Sequence, residues 1–386
     1  MTTMTTANMT EGMKIMGMIS RCVQVGFPSL LRLGIVWVGL ACICNTALAQ
    51  IEFIWDGGGA DYNWATSANW QGDVAPTLPS TTTVALRNTL TFSGMATTTN
   101  NNTVSSGSAY GMKLENDNSA GKTAEFRVQG NKLFFRGGII ENAATVSGTL
   151  TDTIALNLEF GGSNQKFLIN EGHNLVFSGI LSGTGSRLWK DGLGIMTVMA
   201  TNTYGGRTVI DGGTLVVTVQ RGISNTSTYL TIAEGATCDV SNVEGFVITA
   251  NKEFSGFGTL VGNATLYGTL SPGTANTVGS VGKLRGDSFT FATNSSNKVD
   301  CVAGVADELE LTGSVTVDTQ VTVAVTYTGE LPARVKLVTA PMGIVNPGNL
   351  QTWTVTGAKP VSMVIWDEKA KAITLLNHQG TLISFK

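Results

Sequence analysis

The sequence predicts an all-β chain behind an N-terminal leader, and three observations carry that prediction. The 386 residues include 47 Gly but only 8 Pro, and charged residues make up 13% of them, roughly half the density of an ordinary globular domain. Past position 50, apolar residues alternate over short runs that Gly or Asn interrupts, which is strand spacing rather than helix spacing. One tripeptide, Gly-Thr-Leu, recurs at 148–150, 213–215, 258–260, 268–270 and 380–382. The same numbers exclude other classes. A formal net charge of -3 without clustered Lys or Arg argues against nucleic-acid binding, and the composition is unlike that of a coiled coil.

Residues 1–49 read as a cleaved signal peptide. Lys14, Arg21 and Arg32 form a basic region with Glu11 the lone acid, and an apolar run from Leu33 to Cys44 leads to Ala47-Leu48-Ala49. That run is shorter than the roughly 20 residues a membrane-crossing helix needs. Gly39, three residues before Cys42, departs from a lipoprotein signal, and Met13 offers an alternative start. Cleavage removes Cys22, Cys42 and Cys44 and leaves Cys238 and Cys301. In a compartment that permits disulfides these two either pair or sit apart as small buried hydrophobes.

The strand elements follow in order. Thr208–Val219 alternates around Gly212 and Gly213. Leu309, Leu311, Val315, Val317, Val321, Val323 and Val325 mark one face through a shift at Gly313, and strands at 372–376 and 381–385 close the chain. In Gly-Thr-Leu a turn-making Gly leads into a β-branched residue and then an inward apolar one. Its unequal intervals fit either a parallel β-helix with loops of varying length or a set of antiparallel sandwiches; the pattern leaves both open. Frequent Asn suits the first, because stacked Asn side chains form hydrogen-bonded ladders.

Residues 177–218, FSGILSGTGSRLWKDGLGIMTVMATNTYGGRTVIDGGTLVVT, tip that balance. Gly183, Gly185, Leu188, Lys190, Gly192 and Gly194, then Asn202, Thr203, Tyr204, Gly206, Thr208, Gly212, Gly213, Thr214 and Leu215 follow a pattern that resembles the autotransporter-associated β-strand repeat. The stretch 254–273 is similar to the segment that commonly follows such repeats. The opening, Trp55-Asp56-Gly57-Gly58-Gly59 with Asn63-Trp64 and Ala68-Asn69-Trp70, is similar to the start of proteins that carry them. The resemblance implies a right-handed parallel β-helix over 50–275, with 276–386 a C-terminal β region that caps or continues the stack. It also implies a secreted or surface-displayed protein, extracellular or at the outer cell surface, with the periplasm as the other location. Relatives of this kind often carry a C-terminal outer-membrane barrel. Asp367-Glu368-Lys369 and the ending Ser384-Phe385-Lys386 do not read as one, so the expectation is a passenger-like chain exported through its leader.

The search for chemistry yields little. Glycoside hydrolysis needs two carboxyls held about 5–10 Å apart. The acidic pairs Asp56 with Asp61, Asp307 with Glu308 and Glu310, and Asp367 with Glu368 read instead as turn residues and a solvated strand face. His173 and His378 stand in turn contexts without a second ligand at metal spacing. Gly57-Gly58-Gly59-Ala60-Asp61 is only a partial match to a calcium-binding turn, and neither a nucleophile elbow nor a phosphate loop is present. No catalytic residue, metal or cofactor is therefore expected. Trp55, Tyr62, Trp64 and Trp70 crowd into sixteen residues; they either stack on sugar rings or cap the open end of the solenoid. The reading is a non-enzymatic structural or adhesin-like surface protein. A carbohydrate-binding module or polysaccharide-degrading enzyme on the same scaffold is the alternative. The expected partners are a cell-surface polysaccharide, an envelope protein or a second copy of the chain, since unprotected strand edges favour self-association.

Overall fold

A computed structural model describes residues 50–377 apart from 79–86, 94–98, 117–124, 136–138, 143–147, 162–163, 276 and 361. The expected leader, His378, the last Gly-Thr-Leu and the expected strand 381–385 lie outside the described residues.

The strands stack coil upon coil into a parallel β-solenoid. Among the described residues one face is a 14-stranded sheet, the second a 13-stranded sheet, and the third two shorter sheets of four and five strands. One coil shows the circuit. Glu253–Gly256 lies on the first face, Thr259–Val261 on the second and Ala264–Leu266 on the third; Thr269–Pro272 then returns to the first and pairs in parallel with Glu253–Gly256. This is a β-helix and excludes the sandwich alternative. Side chains alternate along each strand, so every coil sends one set inward to meet the set of the next coil.

The inward rows form the core. On the second face Leu175, Met196, Leu215, Cys238 and Leu260 lie in consecutive register, all buried. The Gly-Thr-Leu words open such strands, with Thr214, Thr259 and Thr269 partly exposed and Leu215, Leu260 and Leu270 buried. Their glycine also allows close approach of coils. A Cβ on Gly258 would run into the carbonyl oxygens of Ala233 and Ala236 in the coil below. Coil length varies widely, since Leu230 stacks on Phe254, Phe254 on Leu270 and Leu270 on Asn297.

The third face is broken. Its four-stranded sheet ends at Leu181–Ser182, and its five-stranded sheet begins at Phe246–Ile248. In the two coils between them, turns through 200–206 and 218–227 take the place of a strand. Beyond residue 275 the stack continues through Thr322–Thr328 and Thr354–Thr356. It closes where Ala372–Leu376 runs antiparallel to both Arg334–Thr339 and Met363–Asp367. An antiparallel return covers a parallel edge that would otherwise offer unpaired backbone groups to another chain.

Candidate functional site

The aromatic cluster at the N-terminal end is interior. Trp55, Trp64 and Trp70 are buried and pack with Phe92: Trp55 meets Trp70 edge-on at 5.2 Å between ring centroids, and Trp64 lies 5.9 Å from Phe92. Two of the three polar edges are tied inward too. The Trp64 indole N–H donates to Asn100 Oδ1 at 2.8 Å, and that of Trp70 donates to the Trp64 carbonyl at 2.9 Å. The segment around Asn63 bridges Asn101, extending the second face by one short step. Of the two readings these tryptophans allowed, stacking on sugar rings does not fit Trp55, Trp64 and Trp70, whose rings are buried against one another and against Phe92. Tyr62 is separate, its side chain exposed.

Beside them Asp61 organises the cap loop. Its carboxylate accepts from the Asn63 backbone N–H and side-chain amide, the Thr66 hydroxyl and the Asn69 amide. The Asn63 backbone N–H and the Thr66 hydroxyl do most to hold its pKa below the usual carboxylate value. Asp56 accepts from the Gly58 backbone N–H.

The possible Cys238–Cys301 disulfide is also corrected. Both thiols are free and buried. Cys238 sits in Thr237–Asp239 on the second face, whereas Cys301 sits in Ser296–Val302 on the first face, three coils further along. At about 4.8 Å per coil that stagger alone is roughly 14 Å, beyond the ~7 Å Cα separation a disulfide tolerates. Burial pushes both thiol pKa values up, and the two act as small apolar fillers.

The other acidic candidates are dispersed in ion pairs. Lys283 joins Glu308 at 3.1 Å and Glu310 at 2.5 Å, and Arg334 joins Asp367 at 2.5 Å. Glu308 and Glu310 alternate with buried Leu309 and Leu311. Asp307 is different. It is buried, accepts from the backbone N–H groups of Gly282 and Asp300, and has its pKa pushed up to about 7 by desolvation. His173 is buried at the start of His173–Phe177 and stacks in register on Leu150. Among the described residues no three His, Cys, Asp or Glu side chains gather as metal ligands would.

The repeat-like stretch contributes structure. Lys190 stands in an inward row between Phe167 and Ile210 and is fully buried. Its ammonium donates to the carbonyls of Asp191, Gly192 and Gly212 at 3.0, 2.7 and 3.0 Å, and burial lowers its pKa to about 8. Asn202 staples three coils, accepting from the Leu181 N–H and donating to the Gly222 carbonyl. The buried Tyr204 hydroxyl bonds Thr208.

What remains is the outer surface. On the first face hydroxyls pair between coils, Thr231 with Ser255 and Thr269 with Ser296. Trp189 and Tyr229 point outward there, but Arg187 lies 4.5 Å from the centre of the Trp189 ring and Arg207 lies 4.3 Å from that of Tyr229. Where the third face breaks, a groove of about 840 Å³ opens. Phe134, Glu159 and Ser182 occupy equivalent outward positions in successive strands Leu133–Phe135, Leu158–Phe160 and Leu181–Ser182. They line it together with Gly161, Gly183, Thr184, Gly185 and Thr203. Sequence reasoning missed this row. Leu133-Phe134-Phe135 and Leu158-Glu159-Phe160 were visible as strand words, but only the coil register sets Phe134 beside Glu159.

These features define a class: a parallel β-solenoid whose outer faces carry hydroxyls, paired charges and a shallow groove. No protein-family model and no solved structure matches the chain. Among curated proteins it is similar to the adhesin BmaC autotransporter of Brucella suis biovar 1 (strain 1330), 29% identical over 189 residues. That alignment covers 46% of this chain and 5% of the relative, so the chain spans a small fraction of the relative's length.

Proposed function

We propose that this chain is an exported, non-enzymatic, adhesin-like surface protein, a rigid solenoid that holds a binding surface away from the cell. The observation that carries the reading is the parallel β-solenoid itself, together with its 29% identity over 189 residues to a protein named as an autotransporter adhesin. Two further features support it. The carboxylates singled out in the sequence are engaged in turns, ion pairs and backbone contacts rather than converging on one another. The basic and apolar character of 1–49 suits an export signal. The test has two parts. Protease shaving and antibody labelling of intact producing cells should reach the chain, and beads coated with the full chain should adhere to a target surface above the level of uncoated beads. A chain shielded from both probes, or beads that adhere no better than controls, would overturn the proposal.

A further inference from the structure

We infer that the first face binds an acidic polysaccharide through Arg187 and Arg207, an inference that rests on the adhesin-like reading and names its ligand. The coil register puts the two bases side by side. Leu188 pairs with Thr208, and the Leu188 N–H donates to the Arg207 carbonyl at 2.9 Å. Arg187 and Arg207, one residue earlier in each case, therefore hold neighbouring outward positions on successive coils, about 4.8 Å apart. Each guanidinium lies over an aromatic ring, Arg187 at 4.5 Å from the centre of Trp189 and Arg207 at 4.3 Å from that of Tyr229. Packing on a ring orders a long side chain without neutralising it, so the N–H fork stays set for an anion.

Like charges directly opposite one another destabilise a sheet, and the second face of this solenoid avoids them. There Lys283 opposes Glu308 and Arg285 opposes Glu310 in register, each joined as an ion pair. Arg187 opposes Arg207 instead, and neither has a carboxylate partner among the described residues. The acids of the surrounding face are already engaged. Asp191 and Asp211 lie four residues further along the chain than Arg187 and Arg207, about 13 Å away at strand spacing. Lys166 takes Asp191 at 2.7 Å, and the Trp189 indole N–H donates to Asp211 at 2.6 Å. Glu253 follows Tyr229 in the same row, where Lys298 takes it at 2.7 Å. Residues 136–138 and 162–163, which precede the strands of the two coils below, contain no Asp or Glu.

The chemistry selects the class. Two guanidinium forks one coil apart match carboxylates or sulfates carried in series by an extended polymer. Nucleic acid fits less well, because its phosphates are dense, the chain has a net charge of -3, and Asp191 and Asp211 flank the pair. Further along the axis the same face presents hydroxyls, Thr231 with Ser255 and Thr269 with Ser296. Hydroxyls both donate and accept, as sugar hydroxyls do, so the face beyond the arginines suits a glycan.

The experiment is affinity electrophoresis and calorimetric titration of the full chain against four polymers. Polygalacturonate tests carboxylate, dextran sulfate tests sulfate, and neutral dextran and double-stranded DNA complete the set. At least one acidic polysaccharide should bind, and about 0.5 M NaCl should weaken it by screening. Arg187→Gln combined with Arg207→Gln should weaken binding roughly tenfold. The pair Lys336→Gln and Lys369→Gln removes the same charge from exposed positions elsewhere and should leave binding unchanged. Arg207→Lys keeps the charge but not the fork, and should weaken binding about threefold. The arginine variants relieve a like-charge contact on the surface, so their thermal midpoints should not fall. Four results would overturn the inference: neither acidic polysaccharide binds, neutral dextran or DNA binds as tightly, the double arginine variant keeps the parent's affinity, or the lysine pair loses as much. Bead adhesion separates this from the broader proposal. Adhesion that persists in the double arginine variant strikes out this site and leaves the adhesin-like reading standing. Acidic-polymer binding by a chain that shows neither adhesion nor surface exposure overturns that reading instead.

Discussion

Replacing Lys190 with Met tests whether the buried ammonium is a structural tie. Methionine keeps an unbranched chain of similar length in the row between Phe167 and Ile210 but removes the donor to three carbonyls. Two opposing effects set the magnitude. The folded pKa of about 8 against an ordinary 10.5 means that burying the charged form costs about 3 kcal/mol at neutral pH. Three charge-assisted bonds at roughly 1.5–3 kcal/mol each outweigh it, leaving a net loss of about 3 kcal/mol in the variant. For a solenoid of this size the unfolding entropy is about 0.7 kcal/mol per degree, so the thermal midpoint should fall by roughly 4 °C. Linkage adds a second signature. Because the folded pKa is lowered, the folded state binds fewer protons between about pH 8 and 10.5, and stability should rise as pH climbs through that window. Lys252, whose ammonium donates to the carbonyls of Ser224 and Ser227, has its pKa lowered to about 8 in the same way. From pH 8 to 10 the change in urea stability should be more favourable in the parent than in Lys190→Met, and Lys252→Met should remove a second increment, while the raised thiols of Cys238 and Cys301 pull the other way in every variant. A Lys190→Met protein as stable as the parent at pH 7, with the parent's alkaline change intact, would refute this account.

Asp307 should act in the opposite pH range. Its pKa is raised to about 7, so the stability it contributes is complete below the ordinary carboxylate pKa and is lost as pH rises through 7. Urea midpoints should fall between pH 4 and 8, by at most about 1.4 kcal/mol per pH unit, and Asp307→Asn should flatten that slope. Trp64→Ala should cost about 3–5 kcal/mol, since it empties a fully buried site at the first coil and leaves Asn100 Oδ1 without its indole donor; a thermal melt measures the loss, and an unchanged midpoint would contradict the capping role. Cys238 and Cys301 should resist a thiol reagent in the native protein and react together on unfolding, with non-reducing electrophoresis showing no intramolecular bridge.

Much of the fold was legible because alternation is local. Glu308 and Glu310 turn outward and Leu309 and Leu311 inward because side chains on a strand alternate, whatever the strand's neighbours are. The repeat-like stretch was legible for a related reason. Lys190 and Asn202 bind backbone groups of their own and adjacent coils, so their partners lie one coil away in sequence and the spacing records the geometry.

The groove was illegible because it depends on register between coils, which the sequence does not carry where coil lengths differ; the tryptophan cluster was legible as a choice between sugar platform and end cap, and only the packing decides against the first. Trp55, Trp64 and Trp70 had the composition of a sugar platform, but a 3-10 turn at Ser67–Asn69 and the bridge from Asn63 to Asn101 fold the segment back over the first coil and bury all three rings. Phe134 had no such signature, as one outward residue in a three-residue strand. It gains Glu159 and Ser182 as neighbours only because Leu158–Phe160 aligns with both Leu133–Phe135 and Leu181–Ser182. In a solenoid of unequal coils, aromatic residues dense in sequence serve the ends, where a short segment must cover a broad apolar surface. Outward residues such as Phe134, Glu159 and Ser182 come singly from successive coils, so a surface row here is a property of the stack and not of any one segment.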